Sequence, residues 1–151
     1  MEDGYNMKRI LYIAALIMIT LTGCNKNNDK EQIPAICGQW KSVELSSDIS
    51  IFLSFDKDGT FQMYQHVKDS GYELYNGQWN INSDILSGKY NDDEEWAYTY
   101  EFHVADGFLT LKPIEGDEFE NVFISYQIPD VIKETSVTIV KSSNHHCSPW
   151  L

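Results

Sequence analysis

The side chains with the most chemical reach in this chain are carboxylates, and they stand in runs. Asp92-Asp93-Glu94-Glu95 is one; Glu115, Asp117 and Glu118 form a second, and Asp56 and Asp58 sit in a separate turn. Two carboxylates held close together can serve glycoside hydrolysis or bind calcium through oxygen ligands. Adjacent acids on a loop suit neither use, and Asp56-Lys57-Asp58-Gly59 offers two candidate ligands without the longer alternating run that wraps a cation. A solvated acidic loop is the reading these runs favour. His145-His146-Cys147 gathers three soft ligands, but adjacent side chains do not easily reach one tetrahedral ion, and zinc sites space their ligands more widely. His66 and His103 fall within strand patterns, where a surface or wall position is expected. No metal site and no cofactor are therefore expected. Serine-nucleophile, phosphate-loop, dinucleotide and H-E-x-x-H motifs do not occur, so no enzyme activity is expected either.

The chain has three cysteines, and the first ends a distinctive segment. Met7-Lys8-Arg9 supplies a basic stretch and residues 10–22 an apolar one, the layout of a secretory signal. Met7 is the expected start, since Glu2 and Asp3 would place acid where a signal should be basic. Spanning a bilayer takes roughly 20 apolar residues, and this run stops before Asn25. It closes on Leu21-Thr22-Gly23-Cys24, which resembles the lipobox of bacterial lipoproteins. The resemblance implies a signal peptide over residues 1–23, a lipid attached at Cys24 and a lipid bilayer as partner. Because Asn25, not Asp, follows the cysteine, it further implies the outer membrane of a Gram-negative bacterium, facing the periplasm or the surface. With Cys24 acylated, Cys37 and Cys147 remain as a candidate disulfide in an oxidising compartment. Left unpaired, Cys37 is a small buried residue and Cys147 a tail thiol.

Past residue 23 the chain keeps nine Lys, no Arg and twenty-one acids, a net charge of −12. Phosphate capture favours Lys or Arg in a basic patch, so nucleic acid is not an expected partner. Residues 24–35 comprise the lipidated cysteine and a polar tether, whose extended reach is about 35 Å. The rest fits one domain.

From residue 38 the pattern is of short strands between turn signals, expected near 38–45, 49–56, 60–67, 72–82, 85–90, 96–104, 108–112 and 119–127. Asp56-Lys57-Asp58-Gly59, Asn82-Ser83-Asp84 and Ala105-Asp106-Gly107 mark hairpins. Trp96, Tyr98, Tyr100, Phe102 and Val104 alternate with polar residues and predict one aromatic face. After Pro129 a single helical turn is expected, then an extended piece over 135–141 and a loose end over 142–151.

Gly38-Gln39-Trp40 opens the first strand as in lipocalin and calycin barrels. Leu53-Ser54-Phe55-Asp56-Lys57-Asp58-Gly59-Thr60-Phe61, Gly77-Gln78-Trp79, Leu86-Ser87-Gly88-Lys89-Tyr90, Leu109-Thr110-Leu111 and Tyr126-Gln127-Ile128-Pro129 resemble the short lipocalin-like lipoproteins of Bacteroidetes. The resemblance implies an all-β fold, a small eight-stranded antiparallel up-and-down barrel over residues 36–130, followed by a C-terminal helical turn and tail over 131–151. Loops alternate between the ends of such a barrel, so those near 47, 69, 92 and 116 share one mouth and rim it with acid. An acidic rim disfavours anions and admits neutral or cationic ligands. Trp96, Tyr98, Tyr100 and Phe102, with Met63, are candidates to line a cavity for a small apolar or neutral ligand; a filled core of the same residues is the competing reading. The function implied is that of a non-enzymatic, membrane-anchored ligand binder. The alternative is a protein-interaction or inhibitor lipoprotein that uses its acidic loops on a basic partner.

Overall fold

The computed structural model describes residues 33–43, 48–68, 70–116, 119–140 and 149–151. The expected signal, the lipobox with Cys24, and His145, His146 and Cys147 lie outside the described residues. Eight strands follow in order: β1 (Gly38–Ser42), β2 (Ile49–Phe55), β3 (Thr60–Val67), β4 (Tyr72–Asn82), β5 (Ile85–Tyr90), β6 (Tyr100–Ala105), β7 (Phe108–Pro113) and β8 (Asn121–Ser125). Each pairs antiparallel with the next. β1 also pairs with β8, Trp40 opposite Ser125 and Ser42 opposite Phe123, which closes the sheet into a barrel. This is the all-β architecture expected from the spacing of the turns, and it is consistent with a lipocalin-like fold.

Turn chemistry sets the two ends apart. Ser83 and Asp84 take φ of 50° and 71°, and Asp106 and Gly107 take 51° and 80°, as two-residue hairpin loops with the right-handed twist of their strands require. These turns and the one at 56–59 share one end of the barrel; Ser42, Ile49, Val67, Tyr72, Tyr90, Tyr100, Pro113 and Asn121, the strand ends that meet the longer connections, lie at the other, loop-bearing end.

Side chains alternate along each strand, and the inward set forms one buried cluster. Leu53 lies opposite both Trp40 and Met63, Met63 opposite Tyr75, and Leu109 opposite Phe123, so the cluster is continuous round the wall. An eight-stranded barrel is only just wide enough for its own side chains, and here large rings take most of that room. Two glycines make the room sufficient. A Cβ at Gly88 would strike the Trp96 indole, and one at Gly77 would strike the Lys89 carbonyl and the Phe61 ring. The second Gly-Gln-Trp is thus a packing device: Trp79 donates its indole N–H to the carbonyls of Thr60 (2.9 Å) and Asp56 (3.2 Å) and pins the β2–β3 turn. Trp40 does the same at the entry, donating to the Ile36 carbonyl at 2.9 Å.

One expected strand is shorter than its pattern. The segment expected over 96–104 becomes a strand only at Tyr100, and β5 and β6 pair only through Ile85–Glu101 and Leu86–Tyr100. The preceding backbone groups have other partners: Trp96 N–H donates to Gly88 O, and Ala97 N–H to Leu151 O. The strand expected over 119–127 likewise contracts to Asn121–Ser125.

A second, smaller cluster covers the outer wall. Helix α1 (Asp130–Thr135) follows Pro129 and lays Ile132 with Ile128 against Phe52 and Tyr64, which face each other across β2 and β3. Strand β9 (Val137–Thr138) then runs parallel to β4 at Glu73 and Leu74, where β4 extends beyond the reach of β5. The expected helical turn is present, and of the extended piece expected over 135–141, residues 137–138 pair as a strand, beside the start of β4 at the loop-bearing end.

Candidate functional site

At the loop-bearing end the barrel is closed by residues that belong to no strand. Trp150 stacks on Tyr100, ring centroids 6.3 Å apart and planes 12° from parallel, and meets Phe123 edge-on at 5.4 Å. Leu151 is 1% exposed and packs in the main interior cluster. Three hydrogen bonds seat the pair. Trp150 N–H donates to Gln65 Oε1 at 3.0 Å, the Tyr90 hydroxyl donates to Leu151 O at 2.7 Å, and Ala97 N–H donates to the same oxygen at 3.3 Å. Gln65 is itself buried, so its side-chain carbonyl is a fixed acceptor inside an otherwise apolar wall.

The loose end expected over 142–151 is therefore built into the barrel at residues 149–151. Burying Leu151 yields roughly 1.5–3 kcal/mol and the partly buried Trp150 less than a full burial would, and three hydrogen bonds add about 0.5–1.5 each. Ordering three residues costs about 1–2 kcal/mol each for backbone alone. The balance seats the segment by at most a few kcal/mol.

Trp150 also divides the space at this end. On one side lies a hollow of about 220 Å³ between Trp150, Phe123, Ser42 and Val43. On the other lies one of about 180 Å³ between Trp150, Tyr100, Tyr98 and Phe119. Each is smaller than the 300–1,000 Å³ that ligand pockets typically hold.

The surroundings of the seat are acidic. Burial, with neighbouring phenols second, holds the hydroxyls of Tyr90 and Tyr100 well above the usual phenol range. Tyr75 O–H donates to Glu73 Oε2 at 2.8 Å. On the rim Asp92, Asp93, Glu94, Glu95 and Glu115 are exposed; Lys89 meets Asp93 at 2.6 Å and Lys68 meets Asp48 at 3.9 Å. Asp69, Asp117 and Glu118 lie outside the described residues.

A larger groove, about 640 Å³, runs along the outer wall where β5 and β6 part. Gln78, Asn80, Ser87, Lys89 and Glu95 line it, and several are already paired, Ser87 with Asn80 at 3.2 Å and Lys89 with Asp93. Trp79 and Trp96 border it but are more than nine-tenths buried, so it lacks an apolar seat. The Trp96 indole N–H is buried and has no hydrogen-bond partner, the one such side-chain atom among the described residues.

The residues expected to line a cavity separate into different environments. Met63, Trp96 and Tyr100 are in the interior, Phe102 is half-buried against it, and Tyr98 is 45% exposed outside. Cys37 is half-buried, and burial, followed by Asp56, pushes its thiol up; Cys147 lies outside the described residues. Asp58 accepts from the Thr60 hydroxyl at 2.7 Å and N–H at 3.0 Å, which holds its carboxyl below the usual range and uses it to shape the turn. Among the described residues no three His, Cys, Asp or Glu side chains come together as metal ligands would. The sequence reading missed Gln65, Tyr90, Trp150 and Leu151. The signal available for the last two was an apolar Trp-Leu pair ending a polar stretch.

A scan against protein-family models and a search of curated proteins both return no match to the chain. Its class rests on its own architecture, a closed eight-stranded antiparallel barrel compatible with ligand binding of the lipocalin-like kind.

Proposed function

We propose that the chain is a non-enzymatic lipocalin-like lipoprotein, anchored in the outer membrane through acylated Cys24, whose barrel takes a small apolar or neutral molecule at its loop-bearing end. The observation that carries this reading is the seat under Trp150 and Leu151. An apolar pocket with one fixed acceptor, Gln65, and two donors, Tyr90 and Ala97, is filled by a short non-strand segment. Ligand sites combine mainly apolar walls with a few placed polar groups in this way. The acidic rim supports a ligand without negative charge. The lipobox supports the anchor, and residues 25–35 supply a tether long enough to lift a small domain off a bilayer.

Native mass spectrometry on the protein gently extracted from its own membranes tests the reading. A small neutral molecule should be retained by the Trp150→Gly chain and released on denaturation. A bare protein from both the unmodified chain and this variant would contradict ligand binding.

A further inference from the structure

The hollow of about 180 Å³ on the Tyr100 side of Trp150 differs from the one on the other side in what forms its walls. Tyr98, Tyr100, Phe119 and Trp150 line it, with Pro113 and Asn121. The rings are held where they stand. Trp150 stacks on Tyr100, and Tyr98 meets Tyr100 edge-on, centroids 6.4 Å apart and planes 70° from parallel. The connection between β7 and β8, which carries Phe119, is tied to the backbone beside Tyr98, because Ile114 N–H donates to Thr99 O at 2.9 Å. Gly116, at φ 114°, lets that connection pass so close that a Cβ there would stand 3.1 Å from the Tyr98 ring.

Negative charge surrounds these rings. Glu115 and Glu120 flank Phe119 in the same connection, and both are exposed. Among the described residues no lysine lines the hollow; Lys112, beside Pro113, is exposed and stands opposite Glu101. The faces of aromatic rings are negative, and clusters of them select weakly hydrated cations, quaternary ammonium groups above all. A primary ammonium brings three N–H donors that each need an acceptor, and ring faces supply few. A quaternary ammonium has no donor to satisfy. The volume, below that of pockets enclosing a drug-sized ligand, suits a compact head group.

We propose that this hollow binds a free quaternary ammonium cation of the choline kind, held by Tyr98, Tyr100, Phe119 and Trp150 within the negative field of Glu115 and Glu120. This goes beyond the binding of an apolar or neutral molecule and does not depend on it. Trp150 serves here as a wall in its present place, not as an occupant to be moved.

Calorimetric titration of the full chain with choline and with its uncharged carbon isostere, 3,3-dimethyl-1-butanol, tests the proposal. Choline should bind roughly threefold to tenfold more tightly than the alcohol. Equal binding of the two, or no binding of choline, would overturn it. Phe119 is 72% exposed, so Phe119→Leu leaves the fold intact while removing one ring. It should weaken choline roughly threefold or more and leave the alcohol within about twofold; unchanged choline affinity would count against the cage. Glu120→Gln should flatten the salt dependence of choline binding, and an unaltered dependence would contradict the role given to the field. Phosphocholine should bind more weakly than choline, because its phosphate meets the same carboxylates; tighter binding would overturn a free cation in favour of a lipid headgroup. The Trp150→Gly chain separates this site from the seat. Choline affinity should fall there whether or not an apolar probe gains, and a rise would overturn the proposal.

Discussion

Tyr100 and Trp150 lie face to face, planes 12° apart, although one opens a strand of the barrel and the other follows the last described strand. The contact ties the end of the described chain to the middle of the wall where β5 and β6 separate. It also explains why β6 starts late. Ala97 N–H is turned inward to Leu151 O, so the backbone just before Tyr100 serves the seat rather than the ladder.

Replacing Gly88 with Ala should destabilise the barrel by about 1–3 kcal/mol, the usual cost of overpacking a filled core. The added methyl would run into the Trp96 indole, which is enclosed by Phe55, Phe61 and Tyr100 and has no room to yield. Gly71→Ala is the control, because a Cβ there meets nothing within 4 Å; it should change stability by less than about 0.5 kcal/mol. Urea unfolding of the two variants beside the unmodified chain checks the difference.

The barrel was legible in the sequence and its seat was not, for a physical reason. Strand alternation and turn residues are local signals: Ile51, Leu53 and Phe55 announce an inward face, and Asn82-Ser83-Asp84 announces a tight turn, whatever lies elsewhere in the chain. The run from Trp96 to Val104 carried the same alternation, yet its first four residues form no strand because Gly88 O and Leu151 O compete for their backbone groups. No local pattern contains that competition. Gln65 and Tyr90 were equally silent, since a buried acceptor and a buried phenol acquire their roles only when Trp150 and Leu151 return across the mouth.

Stability should fall steeply at high pH. Tyr90 and Tyr100 are mostly buried, and their hydroxyls are held above the ordinary phenol value of 10.0. Below about pH 10 both are protonated whether folded or unfolded, and they add no slope. Above it the unfolded chain releases protons that the folded chain retains, so the unfolding free energy drops by up to roughly 1.4 kcal/mol per pH unit for each tyrosine until the folded values are reached. Ultraviolet titration should show the Tyr90 and Tyr100 hydroxyls ionising only as the protein unfolds. Tyr100→Phe should make the slope of stability against pH in this range shallower by up to roughly 1.4 kcal/mol per pH unit; an unchanged slope would contradict the assignment.

Membrane anchoring is separable from ligand binding. Each acyl CH2 buried in a bilayer contributes about 0.8 kcal/mol, so a multiply acylated Cys24 would hold the domain almost permanently. The Cys24→Ser chain should leave the membrane pellet for the soluble fraction in detergent-free buffer, with its ligand affinity unchanged. A variant that stays in the pellet would contradict the lipobox reading.

Ligand binding as proposed requires that Trp150 and Leu151 fill a seat that a ligand can take. Titrating N-phenyl-1-naphthylamine into the unmodified chain and the Trp150→Gly chain, with fluorescence as the readout, tests it most directly. One probe per barrel is expected in the variant, with affinity roughly tenfold or more above that of the unmodified chain. Equal probe binding by the two folded proteins, or none by the variant, would contradict it.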